Sequence, residues 1–181
     1  NFGASAVQAG SGRWLIYSDG PAGNTFGNLV SGEYALWGHS VITHPPASIT
    51  ENGHRYLFAE NPALTVTATL TDSKTYGDTY TFPTPVEGIN YTVTGLVDAS
   101  VHGGVFLQDT LASIGLSGAP VFSSSGAVAT ATVAGSPYLV NIAQGTLSNS
   151  AGYSFGTFSA GGGLTVTPRA ITVTADNQSK I

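Results

Sequence analysis

Cysteine and methionine are both absent from the 181 residues, and charge is scarce: five Lys and Arg with ten Asp and Glu amount to only 8% of the chain. Without cysteine there is no disulfide and no thiol chemistry, so apolar packing alone must hold the core. The basic residues Arg13, Arg55, Lys74, Arg169 and Lys180 stand singly in a chain of net charge −5, which leaves no electrostatic footprint for nucleic acid. No apolar run is long enough to expect a transmembrane segment. With neither an initiator Met nor a signal-peptide pattern, we expect a mature or excised fragment. Lack of cysteine suits a bacterial exported protein that crosses membranes unfolded.

What is there instead is glycine, 24 residues of it, and many hydroxyls. The charged fraction is about a third of the globular average, so Ser and Thr take over the wet surface. The residues 64–71 show the arrangement: Leu64, Val66, Ala68 and Leu70 alternate with Thr65, Thr67, Thr69 and Thr71. That period of two is a strand with one buried and one wet face. Similar runs at Tyr91–Thr94, Ala127–Val133, Tyr138–Ile142, Tyr153–Phe158 and Leu164–Thr167 are spaced by Gly, Ser, Pro and Asn, and predict strands. Only Asp109–Ile114 suggests a short helix. The fold class is therefore mainly all-β.

The chain also repeats itself. Leu64-Thr65-Val66-Thr67-Ala68 returns 107 positions later as Ile171-Thr172-Val173-Thr174-Ala175, and Ser73-Lys74 is echoed by Ser179-Lys180. Recurrence at a fixed period is the mark of tandem modules. Three parts follow: an aromatic-rich β segment at 1–62 that ends or caps a preceding domain, a complete β module at 63–168, and the first strand of a next repeat at 169–181. Pro168 at the joint fixes φ and removes a donor, giving a short, stiff connector. In the first part, Arg13–Tyr17 and Arg55–Ala59 read as strands dense enough to be buried on both faces, with turn chemistry at Ser18–Asn24 between them.

The run Thr71–Asp78, the later Tyr153, and Gly163–Ala175 resemble the repeated modules called YDG or MBG, found in very large bacterial surface proteins similar to filamentous haemagglutinin. Lys74, Tyr76, Gly77 and Asp78 match the Lys-x-Tyr-Gly-Asp opening of such modules, and Thr165-Val166-Thr167-Pro168 matches their close. Gly12–Ser18 is similar to a segment between the β-helical shaft and the first repeat. The resemblance implies small β modules, β-grasp-like or immunoglobulin-like in scale. It further implies a secreted, cell-surface adhesin of two-partner secretion that supports cell–cell or cell–matrix attachment in biofilms, with neighbouring repeats of the same chain as partners and no catalytic residue.

Candidate chemistry is thin beside this. His39 and His44, five apart, and the solitary His54 and His102 match no zinc spacing, and Asp72, Asp78, Asp98 and Asp109 lack the alternation of a calcium loop, so no metal or cofactor is expected. Gly115-Leu116-Ser117-Gly118-Ala119 falls short of a nucleophile elbow, and nothing sets a separation for Glu51 and Glu60 or for Asp98 and Asp109, so no enzyme is expected. Tyr76-Gly77-Asp78 reads as a turn motif. Lys74 and Lys180, both at module starts, are the only lysines available for a covalent Lys–Asn cross-link. The alternative to a spacer is a carbohydrate-binding role, with Trp37 and Tyr34 stacking on an exopolysaccharide or host glycan.

Overall fold

The computed structural model describes residues 7–178. Its ten strands are β1 (Leu15–Ser18), β2 (Leu36–Trp37), β3 (Arg55–Phe58), β4 (Ala63–Ala68), β5 (Thr71–Thr75), β6 (Tyr91–Thr94), β7 (Val121–Ser123), β8 (Tyr138–Ala143), β9 (Ser154–Ser159) and β10 (Gly161–Thr167). Helical structure among the described residues is confined to 3₁₀ turns of three or four residues. The chain is thus β-rich, with three sheets in the orders β1-β3-β2, β6-β4-β9 and β5-β10-β8-β7.

In β4 the alternation works as expected: Leu64, Val66 and Ala68 are buried and the threonines between them face outward. The strand lies at the centre of its sheet, antiparallel to β6 and parallel to β9. Downstream, β5 pairs in parallel with β10, from Thr71↔Gly163 to Thr75↔Thr167. Between the two sheets the partners stay together, since Gly163 N–H donates to the Leu70 carbonyl at 2.9 Å. A two-strand ribbon therefore runs from Ala63/Ser154 to Thr75/Thr167 and changes sheet midway.

The opening strands all run parallel, with β3 in the middle. Every residue of β3 is buried. Tyr56 and Phe58 enter the main core, whereas Leu57 joins Leu36 and Ile49 in a small second cluster on the opposite face. Burial on both faces, expected from its unbroken apolar run, follows from this central place; β1 at the sheet edge is only half-buried.

Two expected elements take other forms. Ala127–Val133 is not a strand, because its carbonyls serve residues 74–80 instead of a ladder: Ala127 accepts from Tyr80 N–H at 2.8 Å and Ala129 from Gly77 N–H at 3.2 Å. The Ser124 and Thr132 hydroxyls each seat a 3₁₀ turn, at Ser125–Ala127 and Val133–Gly135. Asp109–Ile114 is a single turn, not a helix. Thr110 and Ser113 cap each other's backbone N–H, and Gly115 at φ +64° ends it.

Packing does not pause at residue 62. Trp14, Trp37 and Phe58 belong to one apolar cluster with Leu64, Val66, Val140 and Leu164. Trp37 N–H donates to Ala151 O at 3.0 Å, and the Asn61 amide to Gly152 O at 2.7 Å. At the other end, residues 168–178 form no strand, and Ile171 and Val173 are 84% and 85% exposed, although Leu64 and Val66 at the equivalent positions are fully buried. Ser179, Lys180 and Ile181 lie outside the described residues.

Gly152 sits where the opening strands meet the residues before β9, at φ +88°, with the Trp37 carbonyl oxygen in the place a Cβ would take. Gly88, at φ +76°, has open space there. Gly88→Ala is expected to cost about 1–2 kcal/mol from its backbone alone, and Gly152→Ala about 3 kcal/mol or more, since backbone collides with backbone. Denaturant unfolding of the two variants measures the difference.

Candidate functional site

Trp37, expected as a stacking platform, is 0% exposed. Its indole packs against Phe58 at 5.0 Å between centroids, with Tyr153 and Phe106 closing the remaining sides. No face is left for a sugar, which corrects the expectation for this residue. The indole is held there because its Nε1–H donates to Asp109 Oδ2 at 3.0 Å. Tyr34, three positions earlier, is half-buried and shares no open face with it. Its backbone bridges Leu107, and its carbonyl accepts from Arg55 at 2.8 Å.

Asp109 is the polar centre of this core, and only 4% exposed. The same Oδ2 also accepts the Tyr153 hydroxyl at 2.6 Å, and that hydroxyl oxygen in turn accepts Val97 N–H at 3.2 Å. One carboxyl thereby joins β2, the loop before β9 and the loop after β6. Its other oxygen, Oδ1, has no hydrogen-bond partner among the described residues. Burial first, and the Asp109 carboxylate second, push the Tyr153 phenol well above the ordinary tyrosine range. Nothing in the local sequence distinguishes Asp109 from the other loop aspartates, and only the fold brings Trp37 and Tyr153 to it.

Lys74, Tyr76, Gly77 and Asp78 do come together, at the turn that closes β5. Lys74 is buried, and its Nζ donates to the carbonyls of Asp78, at 2.7 Å, and Val128. The ammonium thus staples its own turn to the residue 127–133 segment. Neither partner is the amide side chain a cross-link needs, and Lys180 lies outside the described residues. Gly77 stands at φ +91° with the Arg169 guanidinium against it. Arg169 Nε donates to Tyr76 O at 2.7 Å and its Nη2 pairs with the Asp78 carboxylate. The sequence motif is a turn, as expected; its partner Arg169, 91 residues beyond Asp78, had no local signal.

The remaining candidates are dispersed. Asp72 accepts the Tyr80 hydroxyl at 2.6 Å, and Asp98 caps Ser100 N–H. The Ser117 hydroxyl meets that of Ser148 at 2.9 Å. His39 and His44 stack at 3.9 Å, yet no group of three His, Cys, Asp or Glu side chains gathers among the described residues. No described helix is long and apolar enough to cross a membrane. Compared with protein-family models, curated proteins and solved structures, the chain matches none.

Tyr153→Phe keeps the ring but removes one of the two donors to a buried carboxyl. Denaturant melts should show a loss of about 1–3 kcal/mol. Alkaline titration tests the phenols. Burial, then the hydrogen bond to Asp72, lifts Tyr80 from 10.0 to about 12. The folded chain holds that proton more tightly than the unfolded one, so the contribution is complete below pH 10 and is lost as pH rises through about 12. The melting temperature should fall across that window, and Tyr80→Phe should flatten part of the fall.

Proposed function

We propose that the chain is a non-catalytic spacer from a bacterial cell-surface adhesin, built of tandem β modules with short Pro-containing joints and supporting cell–cell or cell–matrix attachment. The observation that carries this reading is the ribbon formed by β4–β5 and β9–β10. Residues 63–168 enter it at Ala63 and leave it at Thr167, at its opposite ends. A unit that takes the chain in at one end and passes it out at the other lengthens an array with each copy.

The joint supports the same reading. Tyr76 N–H donates to Thr167 O at 2.8 Å, so the parallel pairing extends one step past β5. Arg169 then grips Tyr76 O and Asp78, across the Pro168 that fixes φ. The two side chains of this pair are 49% and 53% exposed, so it contributes little to stability. Its effect is on direction: the chain leaves the body along a path set by the turn of the module it is leaving. Beyond it, Ile171 and Val173 stand exposed where the first copy buries Leu64 and Val66.

Backbone ¹⁵N relaxation on the whole chain tests the joint. Arg169 should be as ordered as β10, and Asp78→Ala should loosen Pro168–Ala170 while changing the melting temperature little. Arg169 amides as mobile as those of 172–178 in the unmodified chain would remove the support for a stiff joint. Antibody labelling of intact cells of the source organism tests location; labelling that appears only after lysis overturns the surface assignment.

A further inference from the structure

The two edges of the β1-β3-β2 sheet end differently. At β2 the outer edge is capped, because Trp37 N–H donates to Ala151 O at 3.0 Å. At β1 it is open. Arg55 N–H donates to Trp14 O at 3.0 Å and Ala59 N–H to Ser18 O at 2.9 Å, so Trp14, Ile16 and Ser18 turn their main chain toward β3. The alternate residues, Leu15 and Tyr17, then turn theirs away from it. Their N–H and C=O groups have no partner among the described residues.

Proteins blunt such an edge with lysine, proline or a bulge. The β1 residues Leu15-Ile16-Tyr17-Ser18 include none of these, and they pair with β3 in unbroken register. Both faces beside the strand are open. A cleft of about 570 Å³ lies on the face of Ile16 and Tyr56, and a separate one of about 290 Å³ on the opposite face, that of Tyr17, beside Val41 and Ile42. A strand added in the plane of the sheet sends alternate side chains to the two faces, and so has room on each.

The strand that complements this edge is a second β1. Arg13 and Asp19 stand three positions before and after Ile16. Two copies paired antiparallel about a two-fold axis at Ile16 set Leu15 opposite Tyr17, Trp14 opposite Ser18 and Arg13 opposite Asp19, each pair twice. Leu15 and Tyr17 then exchange N–H and C=O in hydrogen-bonded pairs, which satisfies every outward group of the strand. Opposite residues of an antiparallel pair share a face, so the charges of Arg13 and Asp19 meet. Asp19 is exposed and in no ion pair among the described residues. The Arg13 guanidinium donates to the carbonyls of Ile49 and Glu51, which places its charge, and its remaining donors stay available. We propose that β1 is a docking edge for a second copy of this chain, joining two three-stranded sheets into one through antiparallel β1 strands. So short an edge makes a weak dimer, formed where copies are crowded. The pairing does not depend on the spacer reading.

Sedimentation of the whole chain at rising concentration, up to millimolar, should carry the mass from 18.4 kDa toward twice that value. Over the same range, amide hydrogen exchange should slow at Leu15 and Tyr17 and stay unchanged at Ile16 and Ser18, which β3 already holds. Asp19→Arg sets like charges opposite each other twice, and should weaken association about ten-fold or more at an unchanged melting temperature. Because the chain has no cysteine, a single introduced one reports the register. Ile16→Cys should oxidise to a covalent dimer, since Cα atoms of a non-hydrogen-bonded pair lie about 4.5 Å apart, within reach of a disulfide. Thr25→Cys, exposed but off the strand, should not. A mass that stays at 18.4 kDa up to millimolar concentration, a dimer whose Leu15 and Tyr17 amides exchange as fast as in the monomer, or association indifferent to Asp19→Arg each overturn the assignment. Asp78→Ala should leave the dimer intact, so failure of the joint and failure of the edge are separable.

Discussion

A single buried carboxyl organises the centre of this molecule. Asp109 accepts from the Trp37 indole and the Tyr153 phenol on one oxygen, and so brings three distant stretches of chain to one point. Aromatic rings alone would pack in several ways at similar energy, since apolar contact is not directional. Two hydrogen bonds to one oxygen are directional, and a buried carboxyl without them would be costly. The rings of Phe58 and Phe106 then close around an indole whose position is already set. With no disulfide available, this polar pin does some of the specifying that cross-links do elsewhere.

The same economy appears at the joint, where charged side chains act on backbone carbonyls. Lys74 binds two carbonyls and Arg169 a third, so both cations order turns that glycine would otherwise leave loose. In a chain with only 8% charged residues, each cation that is placed has a specific task. Arg55 is a further instance, bonded to the carbonyls of Tyr34 and Asn52 beside Glu33.

The ribbon and its clasp lie at the end where the chain leaves the body. They share one continuous core with the opening strands, since Trp37 and Phe58 pack in the same cluster as Leu64, Val66 and Leu164.

Strands were legible wherever burial follows a simple period. Alternating Leu64, Val66 and Ala68, and the unbroken Tyr56-Leu57-Phe58, declare one-sided and two-sided burial because side chains of a strand alternate by geometry. The turn at Tyr76–Asp78 was legible because glycine and aspartate are locally suited to it. Ala127–Val133 misled, since its alternation is right for a strand while its carbonyls are claimed by residues 74–80. Trp37 misled in the other direction: the Gly38-His39-Ser40 that follow it hid a residue enclosed by distant ones. Composition and periodicity by themselves determined a β-rich chain without thiol chemistry, because both express local geometry and solvation. The pin at Asp109 and the Arg169 clasp were decided only by tertiary structure, since each joins residues whose partners lie tens of positions away and carry no mark of one another.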